Sequence, residues 1–266
     1  MRLTVGKLAL STTVAALLVY LIFPVLVVLA ISFSAGNFLS FPPPGFSLRW
    51  YAAIASDPEW VSALWVSVKV GGLSAALACL LGVPAAFALV RHVFPGKALA
   101  GALILCALVT PPIVTALATY LYFVPLGLVN TIPGLACAHA VSGMPFVVIN
   151  TAASLRSADI NLERAAIIHG APPLVAVLRI TLPIIAPGIV IGAILAFVHS
   201  AHELLIAIFV LGGVGKPVAV KIWSGVQATS DPTIAAASAI LIGLAVLTFA
   251  SAAATQALAP ISSGNS

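Results

Sequence analysis

Apolar residues in this chain come in long unbroken runs. They do not follow the three-and-four or alternate-residue spacing of soluble helices and strands. Six runs are long enough to cross a hydrocarbon core, which takes about 20 residues of helix. They are roughly Leu8–Ile31, Val61–Val90, Ala98–Val124, Thr131–Ala153, Ile184–Leu211 and Thr233–Leu258. The pattern predicts an all-α, polytopic membrane protein with six transmembrane helices. The first run follows Arg2 and Lys7, the flank of a secretory signal. It is longer than a signal core of roughly 7–15 residues and reads as a retained span.

The segments between the runs differ in kind. Residues 33–60 carry FPPPG at Phe41–Gly45, which cannot be helix. SLRWY at Ser47–Tyr51 reads as an interfacial anchor, with Trp50 and Tyr51 at headgroup level. A second long outer connection begins at Gly212, while Gly127–Asn130 is a short turn. The organisation expected is residues 1–60 as first span and outer loop, 61–258 as the transmembrane domain with an inner loop at 156–183, and 259–266 as a short tail. Pro24, Pro84 and Pro145 interrupt spans. Small residues on one face, Gly188 and Gly192 or Ser67, Gly71 and Ala75, predict close helix packing.

Composition narrows the class further. The chain is 62% hydrophobic and 6% charged, against about 25% charged in a soluble domain, and its mean hydropathy is +1.23. So few charges cannot wet a soluble surface, which excludes a soluble enzyme, a secreted disulfide scaffold and a disordered chain. Cys79, Cys106 and Cys137 form no CxxC pair and read as small buried hydrophobes, with no metal site.

The net charge of +5 orients the chain rather than attracting nucleic acid. With the N-terminus inside, Arg2, Lys7, Arg91, Lys97, Arg156, Arg164 and Arg179 lie inside, and Arg49, Lys216 and Lys221 outside. This excess predicts that both termini are cytoplasmic.

The inner loop from Arg156 to Pro187 is longer than a simple turn needs. Asp159 is placed to cap a short helix with Glu163 in its first turn. Leu162, Ala165, Ala166 and His169 recur at helical spacing, Gly170 ends the helix, and Pro172 and Pro173 prevent its resumption. A second helical stretch is expected to end at Leu182–Pro183. Two short helices around a glycine bend, flat beneath the membrane, suggest a docking surface for a soluble partner.

Ala165-Ala166, three residues, Gly170, nine residues, then Ile180-x-Leu182-Pro183 resembles the EAA loop of binding-protein-dependent ABC importer permeases. The family's motif glutamate falls on Arg164, with an acid one position earlier at Glu163. Pro44–Tyr51, Leu81–Arg91, Thr110–Tyr120 and Phe197–Gly213 are similar to the spermidine/putrescine-type subfamily, with His202 in place of the first acid of an acidic pair.

The resemblance implies a type I importer fold in a bacterial inner membrane. It implies that Glu163, Arg164, Ala165, Ala166, Gly170, Ile180, Leu182 and Pro183 form a coupling loop for a cytoplasmic ATPase dimer. A second permease chain and an extracytoplasmic solute-binding protein are implied as well. ATP and Mg would reside on the ATPase, with no cofactor in this chain. Transport would proceed by alternating access. A polyamine is the first substrate expected, with organophosphonate, opine and ferric iron as alternatives.

Other chemistry lacks its motifs. Gly215-Lys216 is followed by Pro217 and has no earlier P-loop glycine, and His202-Glu203-Leu204 lacks the second histidine of HExxH. Polar residues inside spans mark either a helix–helix hydrogen-bond cluster or the wall of a transport route. His199, His202 and Glu203 are related by three and four residues and are expected to share one face of the fifth helix. Lys69 in the second run is expected at the same depth as Glu203, either paired with it, lining the route beside it, or snorkelling outward. A secondary transporter would need more intramembrane carboxylates. A non-transporting membrane anchor would need no such polar face.

Overall fold

The computed structural model describes residues 2–257 apart from Val214, Thr229 and Ser230. The expected tail at 259–266 and Leu258 lie outside them. The described residues form helices α1 (Arg2–Ser32), α2 (Arg49–Ser56), α3 (Pro58–Arg91), α4 (Lys97–Val109), α5 (Pro112–Phe123), α6 (Ile132–Ser157), α7 (Ile160–Ile168), α8 (Pro173–Ala176), α9 (Leu182–His202), α10 (Leu205–Val210), α11 (Val218–Ala228) and α12 (Thr233–Ala257). A π-turn, Val177–Thr181, joins α8 to α9. Among the described residues the β content is one isolated antiparallel bridge, Ser34 with Phe46.

Among the described residues, five helical segments are long and apolar enough to span a membrane, and α4 with α5, bent by 107°, makes a sixth if the pair is taken as one broken span. The third run is therefore not the straight helix its hydropathy predicts. Thr110 precedes a proline, which disfavours α geometry, and is extended at ψ 130°. Pro112 then starts α5 at a position where its missing N–H costs nothing. Pro24, Pro84 and Pro145, by contrast, lie within α1, α3 and α6, which run on through them.

The fold divides into two compact units, Met1–Val61 with Lys221–Gly243, and Ser62–Val220 with Leu244–Ser266. In the first, the apolar window of α1 is unburied, as suits a helix solvated by lipid or a neighbour. The loop after it is pinned to α2. The Trp50 indole N–H donates to Ser34 O at 3.0 Å, Ser32 Oγ meets Tyr51 Oη at 2.8 Å, and the Arg49 guanidinium donates to Gly36 O and Asn37 Oδ1. Trp50 and Tyr51 thus tie the loop to α2 while remaining half-buried. Lys221 lies 3.0 Å from Glu59 and 3.7 Å from Asp57, over the Trp60 ring.

In the second unit α6 is the most enclosed span. One apolar cluster joins α3, α5, α6 and α10 through Val66, Val70, Ala116, Leu135, Ile206 and Val210. Another joins α3, α6 and α9 through Ala86, Val148, Leu155 and Ile185. The glycine expectations hold: a Cβ on Gly192 would lie 2.7 Å from Val147 Cα, and one on Gly188 would strike Ser154. The backbones of α6 and α9 approach that closely because small residues face each other, as lipid-embedded helices require. The expectation of three buried cysteines does not hold. Cys79 is half-buried, but Cys106 and Cys137 lie on faces exposed in this chain, since a small apolar side chain is equally at home against lipid.

Candidate functional site

The inner loop is built from its capping residues. Asp159 Oδ1 accepts from Asn161 N at 2.9 Å and starts α7. At the other end His169 N donates to Ala165 O, Gly170 N to Ile167 O, and Ala171 N to Ala166 O, at 2.9–3.0 Å. The last two bonds are a Schellman closure, with Gly170 at φ +94° in the position where glycine avoids a Cβ penalty. This closure sets the interval between Ala166, which accepts, and Gly170, which turns. The alanine–glycine spacing of the motif is therefore a backbone requirement.

After the bend, the chain departs from the sequence expectation. The second helical stretch does not stop at Leu182–Pro183. It passes from α8 through the π-turn into α9, with Leu182 N donating to Val177 O in i→i+5 register. Pro183 is the second residue of α9. A proline ring is not accommodated against a regular preceding α-turn, and the wider turn ahead of it lets the helix continue. The platform is thus continuous with the fifth span.

The motif side chains divide by direction. Arg164, Ala165 and Gly170 are exposed, Ala166, Ile180 and Leu182 are half-buried, and Pro183 is exposed. Ile168 is 83% exposed and Leu174 69%, an apolar surface flanking the bend. Glu163 is half-buried and turned toward its own chain: its Oε2 accepts from Thr181 Oγ1 at 2.7 Å. Sequence reasoning did not find Thr181. Its only signal is a hydroxyl among the apolar residues of ITLP.

The polar residues of the fifth run separate. The helix ends at His202, and Glu203 is extended, with ψ 106°. Consequently His199, His202 and Glu203 do not share one helical face. His202 is exposed and donates from Nδ1 to Val198 O within its own helix. Glu203 Oε1 accepts from the backbone N–H groups of Leu205 and Ile206 at 3.1 and 3.3 Å, starting α10. His199 reaches α6, where Ser142 Oγ lies 3.1 Å from Nε2 and the Phe146 ring 5.4 Å from the imidazole. Lys69 is exposed and forms no ion pair with Glu203.

The structure adds His139, 1% exposed, whose Nδ1 lies 2.7 Å from Ser200 Oγ. Ser142 Oγ donates to His139 O within α6, and the two crossed His–Ser pairs stitch α6 to α9. An intramembrane histidine was as legible at 139 as at 199.

Residues 78–260 match the family model described as binding-protein-dependent transport system inner membrane component. The chain is 28% identical over 243 residues to the spermidine/putrescine transport system permease protein PotC of Escherichia coli (strain K12), covering 91% of this chain and 92% of that protein. It is 32% identical over 231 residues to the putrescine transport system permease protein PotI of the same organism, covering 84% and 82%. Among solved structures, a chain of a bacterial ABC transporter involved in the import of the acidic polysaccharide alginate superposes with a TM-score of 0.70 at 14% identity, over 97% of each chain. That likeness concerns the fold. With a family model covering most of the chain and an inner platform that runs from α8 into its fifth span, the protein belongs to the binding-protein-dependent transport system inner membrane components, as a multi-pass permease subunit of an ABC importer.

Proposed function

We propose that this subunit carries a polyamine such as spermidine or putrescine into a bacterial cell. It forms half of a route completed by a second permease chain, identical or homologous. The observation that carries the substrate class is relatedness over most of the chain to two permeases named for spermidine and putrescine. The site adds chemical support. Glu203 is the one acidic residue set in the apolar part of a span, and only its Oε1 is used on the backbone. The second carboxylate oxygen remains for a passing ammonium group. His199, His202 and Lys69 complete the polar set assigned to the route.

On the inner side, α7 and the bend at Gly170 dock a cytoplasmic ATPase dimer that binds ATP and Mg. Exposed Arg164 and Ile168 beside a glycine bend support this reading. An extracytoplasmic binding protein delivers the solute. Both termini face the cytoplasm, in keeping with the excess of basic residues in the inner segments.

The test is co-expression with the ATPase, second permease and binding protein in cells lacking their own polyamine import. Labelled spermidine or putrescine should accumulate, and the ATPase should co-purify. Co-purification without uptake of either would remove the polyamine and leave the importer. Loss of the ATPase from an inserted permease would remove the docking role.

A further inference from the structure

We infer that Glu163 is a positioning residue: its hydrogen bond to Thr181 makes the docking helix α7 move as one body with the fifth span. The inference rests on the docking role proposed for α7. α7 has no fully buried residue, so apolar packing holds it weakly. Among the described residues, the bond from Thr181 Oγ1 to Glu163 Oε2 at 2.7 Å is the side-chain hydrogen bond that joins α7 to the helix after the bend.

Both ends of this bond are placed to matter. Thr181 is 3% exposed with Glu163 against it, so the bond is shielded from water. A hydrogen bond to a carboxylate is about twice as strong as a neutral one. Thr181 closes the π-turn, and the next residue begins α9 without a break. A displacement of α7 is thereby transmitted at the root of α9, bypassing the glycine bend. The Glu163 carboxylate is engaged by its own chain, while Arg164, the next residue, is exposed.

Two measurements separate this link from the docking itself. The first is amide hydrogen exchange on the full-length permease alone in nanodiscs. Glu163→Ala and Thr181→Val should each speed exchange in residues 164–168 by about tenfold. Glu163→Gln and Thr181→Ser, which keep an acceptor and a hydroxyl, should stay near wild type. The double change Glu163→Ala/Thr181→Val should be no worse than either single change, because both remove one interaction.

The second is substrate transported per ATP hydrolysed by the assembled complex. That ratio should fall about tenfold in Glu163→Ala and Thr181→Val while the ATPase still co-purifies. Unchanged exchange in both variants overturns the proposal. So does faster exchange with an unchanged transport ratio, and so does loss of the ATPase in Glu163→Ala but not in Thr181→Val, which would put the carboxylate in the contact itself. If the wild-type permease retained no ATPase, the docking role would fail, and the exchange measurement would still decide whether the link exists.

Discussion

His139 on α6 and Ser200 on α9 meet at 2.7 Å inside the span pair, and Ser142 with His199 repeats the pairing with the two residue types exchanged between helices. Such bonds between membrane helices contribute about 1–2 kcal/mol in model systems. Ser200→Ala leaves His139, 1% exposed, without its partner and should lower stability by about that amount. Thermal unfolding of the purified protein measures it. A variant as stable as wild type would show that the pair contributes nothing.

Gly192 is held to glycine by contact, since its Cβ would meet the backbone of Val147 at 2.7 Å. Gly192→Ala should cost about 1–3 kcal/mol by overpacking. Gly72→Ala on α3, where a Cβ meets nothing within 4 Å, should be neutral or stabilising by up to about 1 kcal/mol. Equal melting temperatures for the two would contradict the close approach of α6 and α9.

Glu203 both starts α10 and carries a charge, and two substitutions separate these roles. Glu203→Gln keeps an oxygen for the backbone N–H groups of Leu205 and Ile206. It should leave stability intact while lowering polyamine uptake about tenfold. Glu203→Ala should in addition lose about 1 kcal/mol of stability, the usual effect of removing a helix cap. Full uptake by the glutamine variant would remove the carboxylate charge from the route.

Gly170 has φ +94° with open space around its missing Cβ. Any cost of substitution is therefore backbone strain alone, about 1–3 kcal/mol for a residue with a Cβ. Gly170→Ala should unwind the last turn of α7 and weaken co-purification of the ATPase, and Gly170→Asn should do so less, because asparagine tolerates this conformation. Wild-type retention of the ATPase by the alanine variant would sink the idea that the bend shapes the docking surface.

Orientation is open to labelling. In a variant with the three native cysteines replaced, a cysteine at position 45 or 57 should react with an impermeant reagent added outside, and one at 160 should not. Reaction at 160 in sealed cells would invert the topology.

The sequence by itself determined the class and the spans. Long apolar runs have one physical solution in lipid, because every backbone N–H and C=O must be satisfied within the helix. The inner loop was also legible, since Asp159, Gly170 and the two prolines act locally, through caps and dihedral preferences that need no tertiary partner. Tertiary structure decided where the third and fifth runs break. Both runs are long enough on hydropathy to be read as single spans, and although Pro111 and Pro112 disfavour helix locally, the pairing of the half-helices α5 and α10 in one apolar cluster shows that the runs divide there. It also decided the partners of the polar residues. His139 finds Ser200 from 61 positions away, and Glu163 turns inward to Thr181 across a bend. No spacing rule reaches those pairs, because they are set by which helix faces meet and not by the period along any one of them.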